Sequence, residues 1–177
     1  MKEINSIQCS DSSSGILYSV ENGVAVITGC DEDLSTLVIA DSYKGFPVKK
    51  IAPFAFCKRD KIISVKLPRS LVEIGEKAFY RCSSLKSISI PDTVTLIGKR
   101  AFGFCASLSA ITLPRKLSKI SNYTFIGCKS LKSIDLPSSL TSIGNYSDGY
   151  HKNISLQSGT GYYCVNGTYT PIKWSKG

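Results

Sequence analysis

Proline returns at positions 68, 91, 114 and 137, each time after 23 residues, and its neighbours return with it. Three columns before the proline are purely aliphatic: Ile62, Leu85, Leu108 and Leu131; Val65, Ile88, Ile111 and Ile134; Leu67, Ile90, Leu113 and Leu136. After it come Leu71, Val94, Leu117 and Leu140, then Ile74, Ile97, Ile120 and Ile143, then Phe79, Phe102 and Phe125 behind Ala78, Ala101 and Thr124. A looser unit precedes these, with Leu34, Leu37, Ile39, Val48, Ile51, Ala55 and Phe56, Ala40 in the proline column, and five extra residues around Lys44 and Gly45. A fixed period of roughly 20 to 50 residues marks a stacked-repeat architecture.

Within one unit, the alternation in "SISIP" predicts a strand with Ile88 and Ile90 inward and Ser87 and Ser89 outward. Pro91 stops it, because proline has no amide hydrogen with which to extend a ladder. "TVTLIG" reads as a second, shorter strand. The column behind it holds Ala52, Gly75, Gly98, Ser121 and Gly144, which points to close packing rather than to a required positive φ. "KRAFGFC" reads as a helical turn with Ala101, Phe102 and Cys105 inside and Lys99 and Arg100 outside. A single coil cannot bury its apolar face, whereas coils stacked about 4.8 Å apart can.

The expected fold is a β-rich solenoid of the α/β repeat class, with about five 23-residue coils of strand, short strand and helical turn. Hairpins should cap it. "ILYSV" and "GVAVITG" flank Glu21-Asn22, and "YYCV" and "TYTPIKW" flank Asn166-Gly167, a strong two-residue turn signal. The chain then divides into an N-terminal capping segment at 1–29, the solenoid at 30–144 and a C-terminal cap at 145–177. In the fifth unit Ser147 and Asp148 stand where alanine and phenylalanine are due, and a buried unpartnered carboxylate is costly, so the stack should end there. Tyr146, Tyr150, Tyr162, Tyr163, Tyr169 and Trp174 are expected to pack against the last coil.

The pattern L-x-x-I-x-[IL]-P-x-x-[LV]-x-x-I-G-x-x-A-F-x-x-C resembles the BspA-type leucine-rich repeats of mostly bacterial surface proteins, over about residues 30 to 144. "VENGVAVITGCDEDLSTLVIADSYKGFPVKKIAPFAF" likewise resembles the first coil of that family, including Gly45-x-Pro47-Val48-x-x-Ile51. The resemblance implies a leucine-rich-repeat solenoid, a cell-surface or secreted location, and adhesion or contact with host or matrix.

Cys57, Cys82, Cys105 and Cys128 fall in one column. No C-x-x-C pair occurs, the only histidine is His151, and four ligands strung along a ladder do not surround one ion, so neither a metal nor a cofactor is expected. Parallel Cβ atoms about 4.8 Å apart also exceed the ~3.8 Å of a disulfide. These cysteines read as buried, inert thiols that act as small hydrophobes. Cys9, Cys30 and Cys164 lie outside the column and are freer to pair, or to react if exposed. At most one disulfide is expected.

The outward strand positions Ser64, Lys66, Ser87, Ser89, Ala110, Thr112, Ser133 and Asp135 are expected to line a concave sheet. They offer no paired carboxylates, no histidine beside a nucleophile and no glycine-rich phosphate loop, so the chain reads as a non-enzyme. His151 and Asp148 near several serines read as a polar loop rather than a triad. The leading expectation is a monomeric interaction module for a protein or glycan. No apolar run is long enough to span a membrane. The first residues lack the apolar core of a secretory signal, as they also would if one had been removed.

Charge suggests a second function. Residues 44–132 carry eighteen Lys and Arg against four acids, whereas residues 1–43 carry one Lys against seven. Lys77, Lys99, Arg100, Arg115, Lys116 and Lys119 form a candidate basic surface for a polyanion, either a sulfated glycan or nucleic acid. Nucleic acid is the weaker choice, because the exposed aromatics that interleave the cations of single-strand binders are missing. A third reading, an enzyme site in the aromatic C-terminal region, needs a pocket between cap and last coil. The sequons at Asn122, Asn145, Asn153 and Asn166 matter only where secreted proteins are glycosylated.

Overall fold

The computed structural model describes residues 7–11, 15–144, 159–165 and 168–176. The chain enters through three antiparallel strands, β1 (Ile7–Asp11), β2 (Ile16–Glu21) and β3 (Val24–Cys30). The turn between β2 and β3 is Asn22-Gly23, with φ of 50° and 78°, one residue later than the expected Glu21-Asn22. Asn and Gly accept left-handed backbone at low cost, and a turn of that hand matches the strand twist.

The first coil supplies β4 (Thr36–Val38), β5 (Ser42–Tyr43) and β6 (Phe46–Ile51). Its extra residues form a hairpin: Tyr43 pairs with Phe46 across Lys44 and Gly45, both at positive φ. Each later coil gives one strand to each of two columns. These are β7 (Ser64–Lys66) with β8 (Glu73–Ile74), β9 (Ser87–Ser89) with β10 (Leu96–Ile97), β11 (Ala110–Thr112) with β12 (Lys119–Ile120), and β13 (Ser133–Leu136) with β14 (Ser142–Ile143). Beyond them lie β15 (Gly159–Val165) and β16 (Thr168–Lys176).

Equivalent residues of successive coils sit side by side. In the first sheet β4, β7, β9 and β11 run parallel, pairing Leu37 with Val65, Val65 with Ile88, and Ile88 with Ile111. In the second, β3, β6, β8 and β10 pair Ile27, Ile51, Ile74 and Ile97 in turn. Pairing in that sheet lapses between β10 and β12, and β12 pairs only with β14. The lapse coincides with Ser121 in the small-residue column. Where glycine stands, Gly98 donates its N–H to Ile74 O at 2.8 Å, whereas Ser121 donates Oγ to Ile97 O at 2.6 Å. The C-terminal hairpin adds to the first column, with β16 parallel to β13 and antiparallel to β15. Asn166-Gly167, Ser147, Asp148, His151, Tyr146, Tyr150 and the sequons at Asn145 and Asn153 lie outside the described residues.

The expected helical turn is not formed; the segment around each Ala-Phe pair is a ladder of tight turns instead. Phe54, Phe56 and Lys58 donate their N–H groups to Glu76, Ala78 and Tyr80 of the next coil at 2.7–2.9 Å. The alternate residues Ala55, Cys57 and Arg59 donate back three residues within their own coil. Lys77, Phe79 and Arg81 repeat the pattern onto Lys99, Ala101 and Gly103. A helix would close every one of these bonds inside its own segment and leave the coils unstitched at this edge. The alternation requires left-handed backbone at Phe54, Lys58, Lys77, Arg81, Arg100, Phe104 and Tyr123, with φ between 52° and 62°.

Between the sheets and this edge runs one continuous core. Phe56, Phe79, Phe102 and Phe125 are completely buried and form a single file, with ring centroids 5.0, 5.3 and 6.0 Å apart and nearly parallel planes. The small column keeps the rungs close. A Cβ on Gly98 would lie 2.5 Å from Glu76 N, and one on Gly75 would lie 2.7 Å from Ile51 O.

Candidate functional site

Three of the four column cysteines, Cys82, Cys105 and Cys128, are buried as expected and are more than apolar filling, whereas Cys57, at the first rung, is only half-buried. Cys82, Cys105 and Cys128 each donate Sγ–H, at 3.1 Å, to the carbonyl of the phenylalanine one coil earlier, Phe56, Phe79 and Phe102 respectively. Burial raises all three thiols, Cys128 to about 12 and Cys82 and Cys105 well above the ordinary range. Cys30, expected to be freer, is buried as a free thiol beside Arg59; burial raises it and the guanidinium opposes the rise. The side chains of Cys9 and Cys164 lie outside the described residues. No cluster of three or more His, Cys, Asp or Glu able to hold a metal occurs among the described residues.

Two outcomes follow for the thiols. A thiol reagent near neutral pH should modify half-buried Cys57 and spare Cys82, Cys105 and Cys128 until denaturant is added. Modification of all four in the folded chain would contradict the ladder. Because folding holds these thiols protonated, the unfolded chain binds fewer protons above its own thiol pKa of about 9. Stability should therefore be unaffected below that pH and fall from about pH 9 towards 12, by at most about 1.4 kcal/mol per pH unit for each buried thiol. Replacing Cys128 with alanine should flatten the slope seen in urea titrations.

The outward row of the first sheet lies where the alternation places it. Ser64, Lys66, Ser87, Ser89, Thr112 and Asp135 are exposed, as is Ala110, while Val65, Ile88 and Ile134 between them are buried. Ser133 stands on β13 in the same register. Between the first two rungs the Ser64 hydroxyl meets that of Thr36 at 3.3 Å. The result is an exposed strip in which small side chains predominate, with Lys66 and Asp135 as its charged members.

The six basic residues stand on three different parts of the coil. Arg115 and Lys116 stand on a proline turn, where Arg115 pairs with Asp92 at 3.0 Å, and Lys119 stands on β12 of the second sheet. Lys77, Lys99 and Arg100 stand on the tight-turn edge, among aromatic rings that sequence reading did not single out. Lys77 Nζ is 4.9 Å from the Phe54 ring, Arg100 Cζ 4.8 Å and Lys99 Nζ 5.8 Å from that of Tyr123. Arg81 lies over both Tyr80 and Phe104, at 5.6 and 5.8 Å, and those rings meet edge to face. Cations and aromatics therefore do interleave along this edge, although of the four rings only Phe54 is exposed. Most of these residues occupy the columns two places either side of the core phenylalanine: Phe54, Lys77, Arg100, Tyr123 and Lys58, Arg81, Phe104, Gly127.

This architecture of parallel rungs, proline turns and a phenylalanine file has known counterparts. A family model described as the BspA type leucine rich repeat region matches residues 48–158 in six copies. The chain belongs to the BspA-type leucine-rich repeat family. Among solved structures, this leucine-rich repeat resembles the T. pallidum leucine rich repeat protein at 30% identity and a TM-score of 0.72, over 79% of this chain and 65% of that one. It shares its fold with the pneumococcal vaccine antigen PcpA at 18% identity and a TM-score of 0.61, over 97% of this chain and 55% of that one. A leucine rich cell surface protein from Faecalibacterium prausnitzii has the same fold at 20% identity and a TM-score of 0.54, over 92% of this chain and 57% of its own length. This chain thus spans between about half and two thirds of each of these proteins. No curated protein matches it. No helix among the described residues is long and apolar enough to cross a membrane.

Proposed function

We propose that this leucine-rich repeat is a non-enzymatic interaction module, secreted or displayed at a cell surface, that binds a host or matrix protein or a glycan. The observation that carries this reading is the division of labour along every coil. Inward residues are consumed by one continuous core, and outward residues of successive coils stand side by side in register. Such a stack supplies large preorganised surfaces and no converging acid, base or nucleophile. The Faecalibacterium counterpart is a cell surface protein, which supports the location. The N-terminal antiparallel strands and the C-terminal hairpin serve as the capping segments 1–29 and 145–177 around the solenoid.

The first-sheet strip of Ser64, Lys66, Ser87, Ser89, Thr112, Ser133 and Asp135 is the proposed protein-facing surface, because the small exposed side chains of Ser64, Ser87, Ser89 and Thr112 let a partner approach the sheet closely. Binding to a panel of extracellular matrix proteins and glycans tests this. Saturable binding to at least one is expected, and for a protein ligand the double variant Ser87→Arg and Ser89→Arg should weaken it at least about tenfold by blocking the strip. Antibodies against the chain should label intact cells of its source. No saturable binding to any panel member, or labelling only after permeabilisation, would contradict the reading.

A further inference from the structure

The tight-turn segments 53–58, 76–81, 99–104 and 122–127 carry five cations, Lys58, Lys77, Arg81, Lys99 and Arg100, against a single carboxylate, Glu76. The same segments place four aromatic rings outside the core, Phe54, Tyr80, Phe104 and Tyr123, with Phe54 half exposed. Backbone bonds from coil to coil fix these residues in register, so the charges repeat at the rung spacing along one outside edge. The left-handed backbone at seven of them makes this edge costly to form in isolation, and the inter-coil ladder holds it.

We propose that this edge is a docking strip for an acidic glycan. The proposal rests on the interaction-module reading and adds a ligand class and a place. Carboxylate or sulfate groups would pair with Arg81, Arg100, Lys77 and Lys99, while the apolar faces of sugar rings rest on Phe54 and on the ring edges of Tyr80 and Tyr123. The contacts that hold Lys77 over Phe54 and Arg100 over Tyr123 fix the cations in advance, which lowers the ordering cost of binding. Those contacts also disfavour single-stranded nucleic acid. A base stacks on an open ring face, and Arg81 already covers faces of both Tyr80 and Phe104.

The test measures retention on immobilised heparin, on desulfated heparin and on single-stranded DNA as salt is raised, with the folded state of each variant checked by circular dichroism. The chain should bind heparin at low salt and lose affinity as salt rises. Desulfated heparin separates sulfate from carboxylate recognition, and retention on either supports the strip. The triple variant Lys77→Asn, Arg81→Asn and Arg100→Asn, in a residue that tolerates left-handed backbone, should lose at least about tenfold in affinity. The charge-matched variant Arg69→Gln, Lys116→Gln and Lys119→Gln, away from this edge, should lose less than about threefold. Phe54→Ala, which keeps every charge, should weaken binding without changing its salt dependence. Equal losses in the two triple variants, tighter binding of DNA than of either glycan, or no glycan retention at low salt would each overturn the proposal. Binding of a matrix protein that survives the edge variants would leave the interaction-module reading standing.

Discussion

Phe102→Ala should lower the unfolding free energy by about 3–5 kcal/mol, the range for removing a fully buried aromatic ring. Phe102 lies between Phe79 and Phe125, with centroids 5.3 and 6.0 Å away. In a stack where each coil touches only its neighbours, an interior cavity weakens two interfaces together. For a chain of this size the loss corresponds to a melting temperature lower by roughly 6–20 °C. Phe54→Ala is the matched control. That ring is half exposed and its main partner is Lys77, so about 1 kcal/mol or less should be lost. Urea melts of the two variants measure the contrast. Equal losses would mean that the file does not hold the coils together.

Gly98→Val should be at least as damaging, for the opposite reason. Gly98 has no positive φ to protect; its role is to let two backbones meet. A Cβ there would lie 2.5 Å from Glu76 N and 2.6 Å from Gly75 C, and neither is a side chain that can swing away. Relief requires the second and third coils to separate, which breaks the 2.8 Å bond from Gly98 N–H to Ile74 O and strains the 2.9 Å bond from Lys77 to Lys99. Forced overpacking against backbone should cost about 3 kcal/mol or more. Gly103→Ala offers the comparison. Its nearest neighbour is the ring carbon Cδ2 of Tyr80 at 3.0 Å, and a ring can rotate aside, so about 1 kcal/mol or less is expected. The urea midpoint of Gly98→Val should fall far below that of Gly103→Ala, or the variant should not fold at all.

The inward half of the solenoid is legible from sequence because its main buried columns repeat. Leu85, Ile88, Ile90, Val94, Ile97 and Phe102 recur in kind at a fixed interval, and a column of like residues has one physical explanation, contact with itself in the next coil. The helical turn was misread for an equally physical reason. Ala101, Phe102 and Cys105 have the spacing of one helix face, but the destination of the N–H groups of Arg100, Phe102 and Phe104 is the neighbouring coil, at Asn122, Thr124 and Ile126. Nothing inside a single unit reveals that partner. The outward half does not repeat, so its columns look random: Phe54, Lys77, Arg100 and Tyr123 share neither charge nor polarity. Only their stacking shows that cations and rings alternate along one edge. Ser121 marks the same limit, since a hydroxyl in a glycine column reads as a tolerated substitution, yet it accompanies the lapse in pairing between β10 and β12.

The stack itself is open to a direct measurement. With ring-labelled phenylalanine in the folded chain, nuclear Overhauser contacts should connect Phe56 to Phe79, Phe79 to Phe102 and Phe102 to Phe125, and should skip no rung. Absence of these contacts in a folded chain, or contacts joining Phe56 directly to Phe125, would contradict a solenoid built on one file of rings.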